Sequence, residues 1–198
     1  MGYFIDLLFL FVRRPVEGMH RIREHPSVLA ALIALLLTGI IDAISFRLMD
    51  VVGLLKSVGL TSQMTDAITQ AQRAPGTFWA FVTEPFFLVM LSVFVIDAVA
   101  QLVWKRTAAP YMYVALSFSG LVGAVLRVIG ILMASVARGI VFEALTYGAV
   151  LYILIMGVLA VRFFYEKSTV KALALYLLPT LLGVGVLVLL TITVGGAV

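Results

Sequence analysis

Residues 78–103 read FWAFVTEPFFLVMLSVFVIDAVAQLV, an apolar stretch with only two charged side chains, Glu84 and Asp97. At about 1.5 Å of rise per residue, a helix of this length exceeds the roughly 30 Å hydrocarbon core of a bilayer. Four further stretches have the same character, namely residues 27–46, 111–137, 141–161 and 172–193. No soluble domain of this size could bury so much apolar surface. The sequence therefore predicts an all-α, polytopic membrane helix bundle with five transmembrane helices.

The overall composition agrees with this fold class. The chain has 198 residues, of which 63% are hydrophobic and 12% charged, whereas soluble domains average about 45–50% and 25%. It contains no cysteine, which excludes disulfides, thiolate catalysis and sulfur-ligated metals. We predict one compact membrane domain with no soluble catalytic module, no cofactor, no metal site and no nucleic-acid partner.

Two less apolar segments complete the predicted organisation. Residues 1–26 contain an apolar run, residues 3–12, that is too short to cross a bilayer as a helix and is followed by two arginines. We predict a cytoplasmic interfacial segment here, an amphipathic helix interrupted near Pro15. Residues 27–198 then form the five-span domain. Within it, residues 47–77 have apolar residues at helical spacing, which predicts an extracytoplasmic amphipathic loop of two short helices, with a disordered loop as the alternative.

Basic residues are unevenly distributed between the two sides that five alternating spans define. One side carries nine: Arg13, Arg14, Arg21, Arg23, Lys105, Arg106, Arg162, Lys167 and Lys171. The other side carries four: Arg47, Lys56, Arg73 and Arg138. The positive-inside rule predicts a cytoplasmic N-terminus and a C-terminus outside. The basic cytoplasmic face is expected to attract anionic lipid headgroups.

Three charged residues on three different spans are predicted to share one depth. Asp42 lies near the outer end of the first span, Glu84 about 10 Å below the outer start of the second at 1.5 Å per residue, and Arg127 in the outer half of the third. Charges inside a bilayer are costly, at about 2.5–3.5 kcal/mol each on insertion scales, and so need a reason. The predicted cluster is either a structural ion pair or a polar cavity for a substrate, ion or lipid headgroup, and absence of pairing is the third alternative.

A second polar group lies at the other end of the second span. Asp97, Gln101 and Lys105 follow one another at i, i+4 and i+8 and so form a stripe on one helix face. Snorkelling and local pairing explain this stripe structurally. The functional alternative is a cytoplasmic docking site.

The third span also carries small residues at regular spacing. Ala115, Ser119 and Gly123 recur every four residues, which lets helices approach closely in lipid, and Arg127 falls on the same face. We predict that Arg127 points into a helix interface. The partner across that face is either another span of this chain, a second copy of the chain or another membrane protein.

Signatures of catalysis are missing from the sequence. It contains no Gly-x-Ser-x-Gly elbow, no phosphate-binding loop, no Gly-x-Gly-x-x-Gly and no His-Glu-x-x-His. His20 and His25 flank a charged segment and are expected at the membrane surface. The two halves show no convincing inverted repeat, which weighs against a standard secondary transporter. We therefore predict that the protein is not an enzyme.

Two segments carry a resemblance to a known family. Residues 14–27 read RPVEGMHRIREHPS and lead into the first span, and residues 165–173 read YEKSTVKAL and lead into the last, which continues with Leu-Pro at 178–179. This order resembles the Yip domain family, the Ypt/Rab-interacting membrane proteins, in its prokaryotic branch. The resemblance implies a non-enzymatic protein of the prokaryotic cytoplasmic (inner) membrane with five spans. It assigns neither Rab binding nor any site residue.

Two functional hypotheses follow. The first is a non-catalytic integral membrane protein of the Yip type that organises membrane or partner proteins. The alternative is a small transporter or lipid-handling protein that uses the charge cluster of Asp42, Glu84 and Arg127. Solvent access distinguishes them, because a buried and fully paired cluster favours the first hypothesis and a cluster lining an open cavity favours the second.

Overall fold

The computed structural model describes residues 2–48, 66, 69–70, 74–134 and 140–195. Over these ranges the chain forms seven α-helices and no strand, which confirms the all-α prediction. The helices are α1 (Gly2–Arg13), α2 (Pro15–Glu24), α3 (Val28–Leu48), α4 (Pro75–Trp104), α5 (Ala109–Ala134), α6 (Ile140–Tyr165) and α7 (Thr169–Gly195). Most of the predicted loop at 47–77, including its two amphipathic helices, lies outside the described residues, as does the turn at Arg138.

Four of these helices are long and apolar enough to cross a bilayer. The qualifying segments are Val28–Arg47, Gly76–Trp104, Ala109–Met133 and Glu143–Tyr165. They indicate an integral membrane protein. The fifth predicted span coincides with α7, whose apolar segment over the described side chains, Thr169–Gly185, is shorter than a span. Four helices are therefore long and apolar enough to span a bilayer, and a fifth span stays a prediction.

Helix α5 lies at the centre of the bundle. It packs against α3 and α6 most extensively and also contacts α1, α2 and α4, while α7 closes the remaining side by contacting α4 and α6. The α5 residues Met112, Ala115 and Phe118 are fully buried. Ser119 is also fully buried and donates its hydroxyl hydrogen bond to the carbonyl of Ala115, 2.8 Å away. The hydroxyl thus needs no partner from another helix.

The N-terminal segment is a pair of helices that folds back on the bundle. The helices are separated at Arg14, next to Pro15, where the sequence predicts an interruption. The Tyr3 hydroxyl on α1 donates a hydrogen bond to the carbonyl of His25, directly after α2. On α1, Phe11 is fully buried and packs against the ring of Phe118, with ring centroids 5.7 Å apart. The opposite face of α1 exposes Ile5, Phe9 and Val12. One apolar face therefore contacts the protein, and the other remains available to lipid.

The α4–α5 connection, the α6–α7 connection and the end of α2 meet at one end of the bundle, named here the Glu166 end. The Glu166 carboxylate accepts hydrogen bonds from Arg106, between α4 and α5, and from Arg23 of α2, the latter at 3.2 Å. These two arginines, Arg106 more strongly, lower the pKa of Glu166. The opposite end, where α3 ends and α4 begins, is named the α3–α4 end. There the guanidinium of Arg47 lies 5.4 Å from the ring centroid of Phe78.

Candidate functional site

The structure pairs Arg127 with Asp42. Nη2 of Arg127 lies 2.7 Å from Oδ1 and 2.8 Å from Oδ2 of Asp42, so one nitrogen donates to both carboxylate oxygens. The pair joins α5 to α3 within the membrane-spanning part of both helices. It is only partly buried, since the side chains of Arg127 and Asp42 are 30% and 21% exposed. The pair therefore borders open space instead of lying inside packed protein.

Glu84, the third member of the predicted cluster, is not part of this ion pair. It is exposed, and among the residues that the structure describes, no basic side chain lies within 4.0 Å of its carboxylate. It nevertheless lines the same cavity as Asp42 and Arg127. The structure thus brings the three predicted residues to one cavity, joins two of them directly and leaves the third carboxylate facing the cavity.

A close crossing of α3 and α4 lies near both carboxylates. A Cβ added at Gly39 would lie 2.5 Å from the carbonyl oxygen of Val82 and 2.7 Å from its Cα, so only glycine fits there. Asp42 follows Gly39 by three residues and Glu84 follows Val82 by two. Because a helix rises about 1.5 Å per residue, both carboxylates lie within one turn of this crossing along their helix axes.

The cavity that these residues line has a volume of about 650 Å³, within the range of about 300–1,000 Å³ that is typical of ligand sites. Residues of all five long helices, α3 to α7, form its wall. Towards the α3–α4 end, the wall also includes the hydroxyl-bearing residues Ser45 and Thr146. Deeper along the helices the wall contains the apolar residues Leu88, Leu116 and Ile153 and the hydroxyl-bearing residues Thr38, Ser92 and Tyr176. The charged groups therefore lie towards one end of a cavity whose wall is mostly apolar.

Both prolines inside the long helices lie in this wall. Pro85 interrupts α4 and Pro179 interrupts α7. Proline has no backbone N–H, so the carbonyls four residues earlier, those of Phe81 and Leu175, lack their usual helical donor. In a membrane such carbonyls are tolerated where they are covered by protein or border a polar cavity. The two helix irregularities thus coincide with this cavity.

The cavity is not closed on all sides. Its lining residues Glu84, Leu88 and Thr180 are exposed. The ring of Tyr176, which also lines the cavity, packs so closely over α6 that a Cβ at Gly157 would lie 2.1 Å from it. The exposed lining residues therefore place the opening on the side of α4 and α7.

The second predicted polar group, Asp97 with Gln101 and Lys105, has a different environment. Asp97 is only 5% exposed. Its carboxylate accepts four hydrogen bonds, from the Tyr165 hydroxyl (2.6 Å), the Thr107 hydroxyl (2.8 Å), the Ala108 N–H (2.7 Å) and the Gln101 amide (2.7 Å). It thereby satisfies a backbone donor at the start of α5.

This environment removes Asp97 from the surface that a docking partner would contact. Gln101 does bind Asp97, as the i, i+4 spacing predicts. Lys105 instead ends α4 in the left-handed conformation, with φ 53°, and its N–H donates back to the carbonyl of Gln101 at 3.0 Å. Gln101 and Lys105 are exposed and Asp97 is not, so the predicted stripe does not form one accessible site.

Several residues of both polar groups were not identified from the sequence. The hydrogen bond from Tyr165 to Asp97 joins residues far apart in the chain, and a neutral tyrosine at a helix end gives no charge signal. No sequence pattern joins Glu166 to its partners Arg23 and Arg106. On the cavity wall, Thr38 and Ser45 donate to carbonyls of their own helix, at 2.8 and 2.6 Å, so their positions follow no motif. The sequence signal for the cavity wall was the presence of Pro85 and Pro179 inside long apolar stretches.

A comparison of the chain with protein-family models, with curated proteins and with solved structures found no match. The resemblance to the Yip domain family therefore remains a prediction from the sequence. The cavity and its lining residues are therefore the features from which function is inferred.

Proposed function

We propose that the protein is a non-catalytic, lipid-handling membrane protein that binds an amphiphile within the bilayer, in the cavity between α3 and α7. The observation that carries this proposal is the position of the charges. Asp42, Glu84 and Arg127 line an open space of about 650 Å³ instead of a packed helix interface.

The position of the charges towards one end of a mostly apolar cavity supports an amphiphile over a small solute. A headgroup would contact the charged and hydroxyl side chains towards the α3–α4 end. A hydrocarbon chain would contact Leu88, Leu116 and Ile153 deeper in the bundle, where burial of each methylene contributes about 0.8 kcal/mol in transfer from water. The opening between α4 and α7 would give such a ligand a lateral path from the lipid.

A purely structural ion pair explains these features less well. An isolated pair needs no space around it, and a bundle gains dispersion contacts when neighbouring side chains fill such space. Here Gly120 lines the cavity, and a Cβ added there would come no closer than 4.0 Å to any atom of Thr38. A larger residue would therefore fit at this position and partly fill the cavity.

Gly120 provides the test of the proposal. In Gly120→Leu, the added side chain should occupy the cavity while leaving the helix packing intact, since replacing glycine inside a helix also improves helix propensity by up to about 1 kcal/mol. The full chain is reconstituted in phosphatidylcholine nanodiscs with a long-chain alcohol that carries a photoreactive diazirine. We expect saturable labelling of Leu116 and Ile153 in the wild type and its loss in Gly120→Leu, detected by peptide mass spectrometry.

Gly148→Leu is the matched control. Gly148 lies on α6, has no atom within 4 Å of an added Cβ and is not part of the cavity wall. Its replacement should leave labelling unchanged. Phe94, which is 70% exposed on α4, should be labelled equally in every variant and report the lipid-facing surface. Labelling that is confined to such exposed residues, or that Gly120→Leu does not reduce, would refute the proposal.

The Yip-type organising role is the second candidate, and one contact favours it. The two segments that carry the family resemblance meet through the ion pair of Arg23 with Glu166, at 3.2 Å. Together with Arg106, this contact connects the N-terminal helices to two further connections of the bundle. This role requires no ligand in the cavity, so it is favoured if the labelling experiment fails while the protein remains folded.

The finer topology belongs to the same proposal. We propose five spans in a prokaryotic cytoplasmic membrane, with the Glu166 end in the cytoplasm and its basic residues near anionic lipid headgroups. Two long helices, α5 and α6, separate the α4–α5 connection from the α6–α7 connection, which supports a common side for both connections. Because the chain has no cysteine, single cysteines report topology directly. Cysteines replacing Lys56 or Gln70 should react with an impermeant thiol reagent from outside, and one replacing Lys167 should not.

A further inference from the structure

The charges on the cavity wall do not cancel. Three of its described residues are charged, and their formal charges sum to −1, since Asp42 and Glu84 carry −1 each and Arg127 carries +1. The arginine is already bound to Asp42 through both carboxylate oxygens. The charge in excess is therefore that of Glu84, for which the described part of the chain supplies no basic partner within 4.0 Å.

Glu84 occupies a position at which its carboxylate is costly without a partner. It lies inside the span Gly76–Trp104, next to Pro85 and within one turn of the crossing at Gly39. Carboxylates in such positions generally face a cavity and pair with a cation there. Glu84 lines the cavity, whose wall is mostly apolar. A complementary ligand thus needs a cationic group and an apolar chain in one molecule.

We propose that the ligand of this cavity is an amphiphile with a protonated amine headgroup, which Glu84 binds through its carboxylate. This inference rests on the proposed function and adds the chemistry of the headgroup to it. An ammonium group donates up to three hydrogen bonds and has no acceptor. It therefore fits the Glu84 carboxylate in the cavity wall and avoids Arg127, which Asp42 already neutralises. An anionic headgroup would instead meet an excess of negative charge.

The test compares two probes that differ only in the headgroup. A long-chain primary amine and the alcohol of equal length, both with the same diazirine, are titrated against the full chain in phosphatidylcholine nanodiscs. Labelling of Leu116 and Ile153 is the readout. We expect the amine to reach half-saturation at a concentration on the order of tenfold lower, because hydrogen bonds to charged groups commonly exceed the free energy of a tenfold change.

Variants at Glu84 connect this preference to the carboxylate. Glu84→Gln should abolish the preference for the amine while the alcohol still labels, and Glu84→Asp, which keeps the charge, should retain most of it. Glu143→Gln is the matched control, because Glu143 is an exposed carboxylate on α6 outside the cavity wall. It removes the same charge from the protein and should leave both titrations unchanged.

The outcomes separate this inference from the proposed function. Equal half-saturation of amine and alcohol in the wild type, both abolished by Gly120→Leu, would refute the amine headgroup and leave the amphiphile site intact. A preference for the amine that persists in Glu84→Gln would also refute the inference. A preference that disappears equally in Glu143→Gln would refute it as well, since the charge at the membrane surface would then be the cause. Absence of cavity labelling by either probe would refute the proposed function itself. In the Glu84 and Glu143 variants, the alcohol titration shows that the site remains folded.

Discussion

The two ends of the bundle use carboxylates differently. At the Glu166 end, Asp97 accepts four hydrogen bonds and is almost entirely buried. Towards the α3–α4 end, Asp42 has one ionic partner, Arg127, and the carboxylate of Glu84 has none among the described residues. Both regions lie within apolar helices of similar composition. They differ in how completely the surrounding protein satisfies each charge and in whether space remains beside it.

This difference separates a structural role from a binding role. A buried polar group with every oxygen satisfied by the protein holds helices in register and offers nothing to a ligand. A charge with unused hydrogen-bonding capacity beside a cavity is costly unless something else satisfies it. The Asp97 network belongs to the first kind. The cavity with Glu84 belongs to the second, and substitutions at the two ends should therefore have different consequences.

The largest effect on stability is expected from Asp97→Leu. This change leaves the hydroxyl of Tyr165 and the N–H of Ala108 buried without their acceptor, and each such loss costs about 1–3 kcal/mol. We expect a total destabilisation of roughly 3–5 kcal/mol on the same basis, measured by thermal or denaturant unfolding in detergent. Gln101→Leu, which removes only an exposed donor to Asp97, should cost about 1 kcal/mol or less. Equal effects of the two substitutions would contradict the structural role assigned to Asp97.

A smaller loss of stability is expected from Arg127→Leu. It leaves Asp42 without its partner, but the pair borders open space, so the cost should be about 1–3 kcal/mol instead of the 3–5 kcal/mol of a fully buried pair. Arg127→Leu combined with Asp42→Asn should recover part of this loss, because the uncompensated carboxylate is removed.

Glu84→Gln in the Arg127→Leu background is the control for this recovery. Glu84 is not bound to Arg127, so its neutralisation should recover less stability than Asp42→Asn does. A double-mutant cycle over the three residues measures the two coupling energies directly. A stronger coupling of Arg127 to Glu84 than to Asp42 would contradict the geometry described here.

Much of the fold could be predicted from the sequence because lipid imposes a simple rule on it. A spanning segment must satisfy its own backbone hydrogen bonds, so long apolar stretches are helices. Residues 27–46, 78–103, 111–137 and 141–161 accordingly match α3 to α6 to within a few residues. The same rule says little about α7 as a span, because the apolar segment over its described side chains, Thr169–Gly185, is shorter than one.

The candidate site could be predicted only in part, for a geometric reason. Helix depth follows from residue count, so the common level of Asp42, Glu84 and Arg127 was accessible from the sequence. Which pair forms depends on the rotation and separation of helices, and these depend on contacts such as Gly39 against Val82. A glycine in an apolar helix does not reveal from sequence which backbone it faces. Five helices together form the cavity, so the sequence pattern of single helices could not predict it.

The smallest effect concerns the Glu166 end and follows from the lowered pKa of Glu166, which Arg106 and then Arg23 cause. A carboxyl group whose pKa is lower in the folded than in the unfolded chain stabilises the fold above the unfolded value of about 4.3 and loses that contribution as the pH falls through the folded value. The contact of α2 with Glu166 should therefore be complete at pH 5 and weaken towards pH 3, a window below the ordinary pKa of histidine, about 6.5.

Hydrogen exchange of the α2 amides measures this effect. Between about pH 5 and pH 3, after correction for the intrinsic rates, we expect a modest loss of protection in the wild type, because exposed ion pairs contribute little. Glu166→Gln should show lower protection at pH 5 and a smaller change between the two values. Glu17→Gln is the control, since Glu17 lies on α2 and, among the described residues, forms an ion pair with Arg14 alone, at 3.0 Å. It should keep the pH dependence of the wild type. If Glu166→Gln keeps it as well, Glu166 does not hold α2 against the bundle, and α2 depends on its apolar residues, Met19 and Ile22, instead.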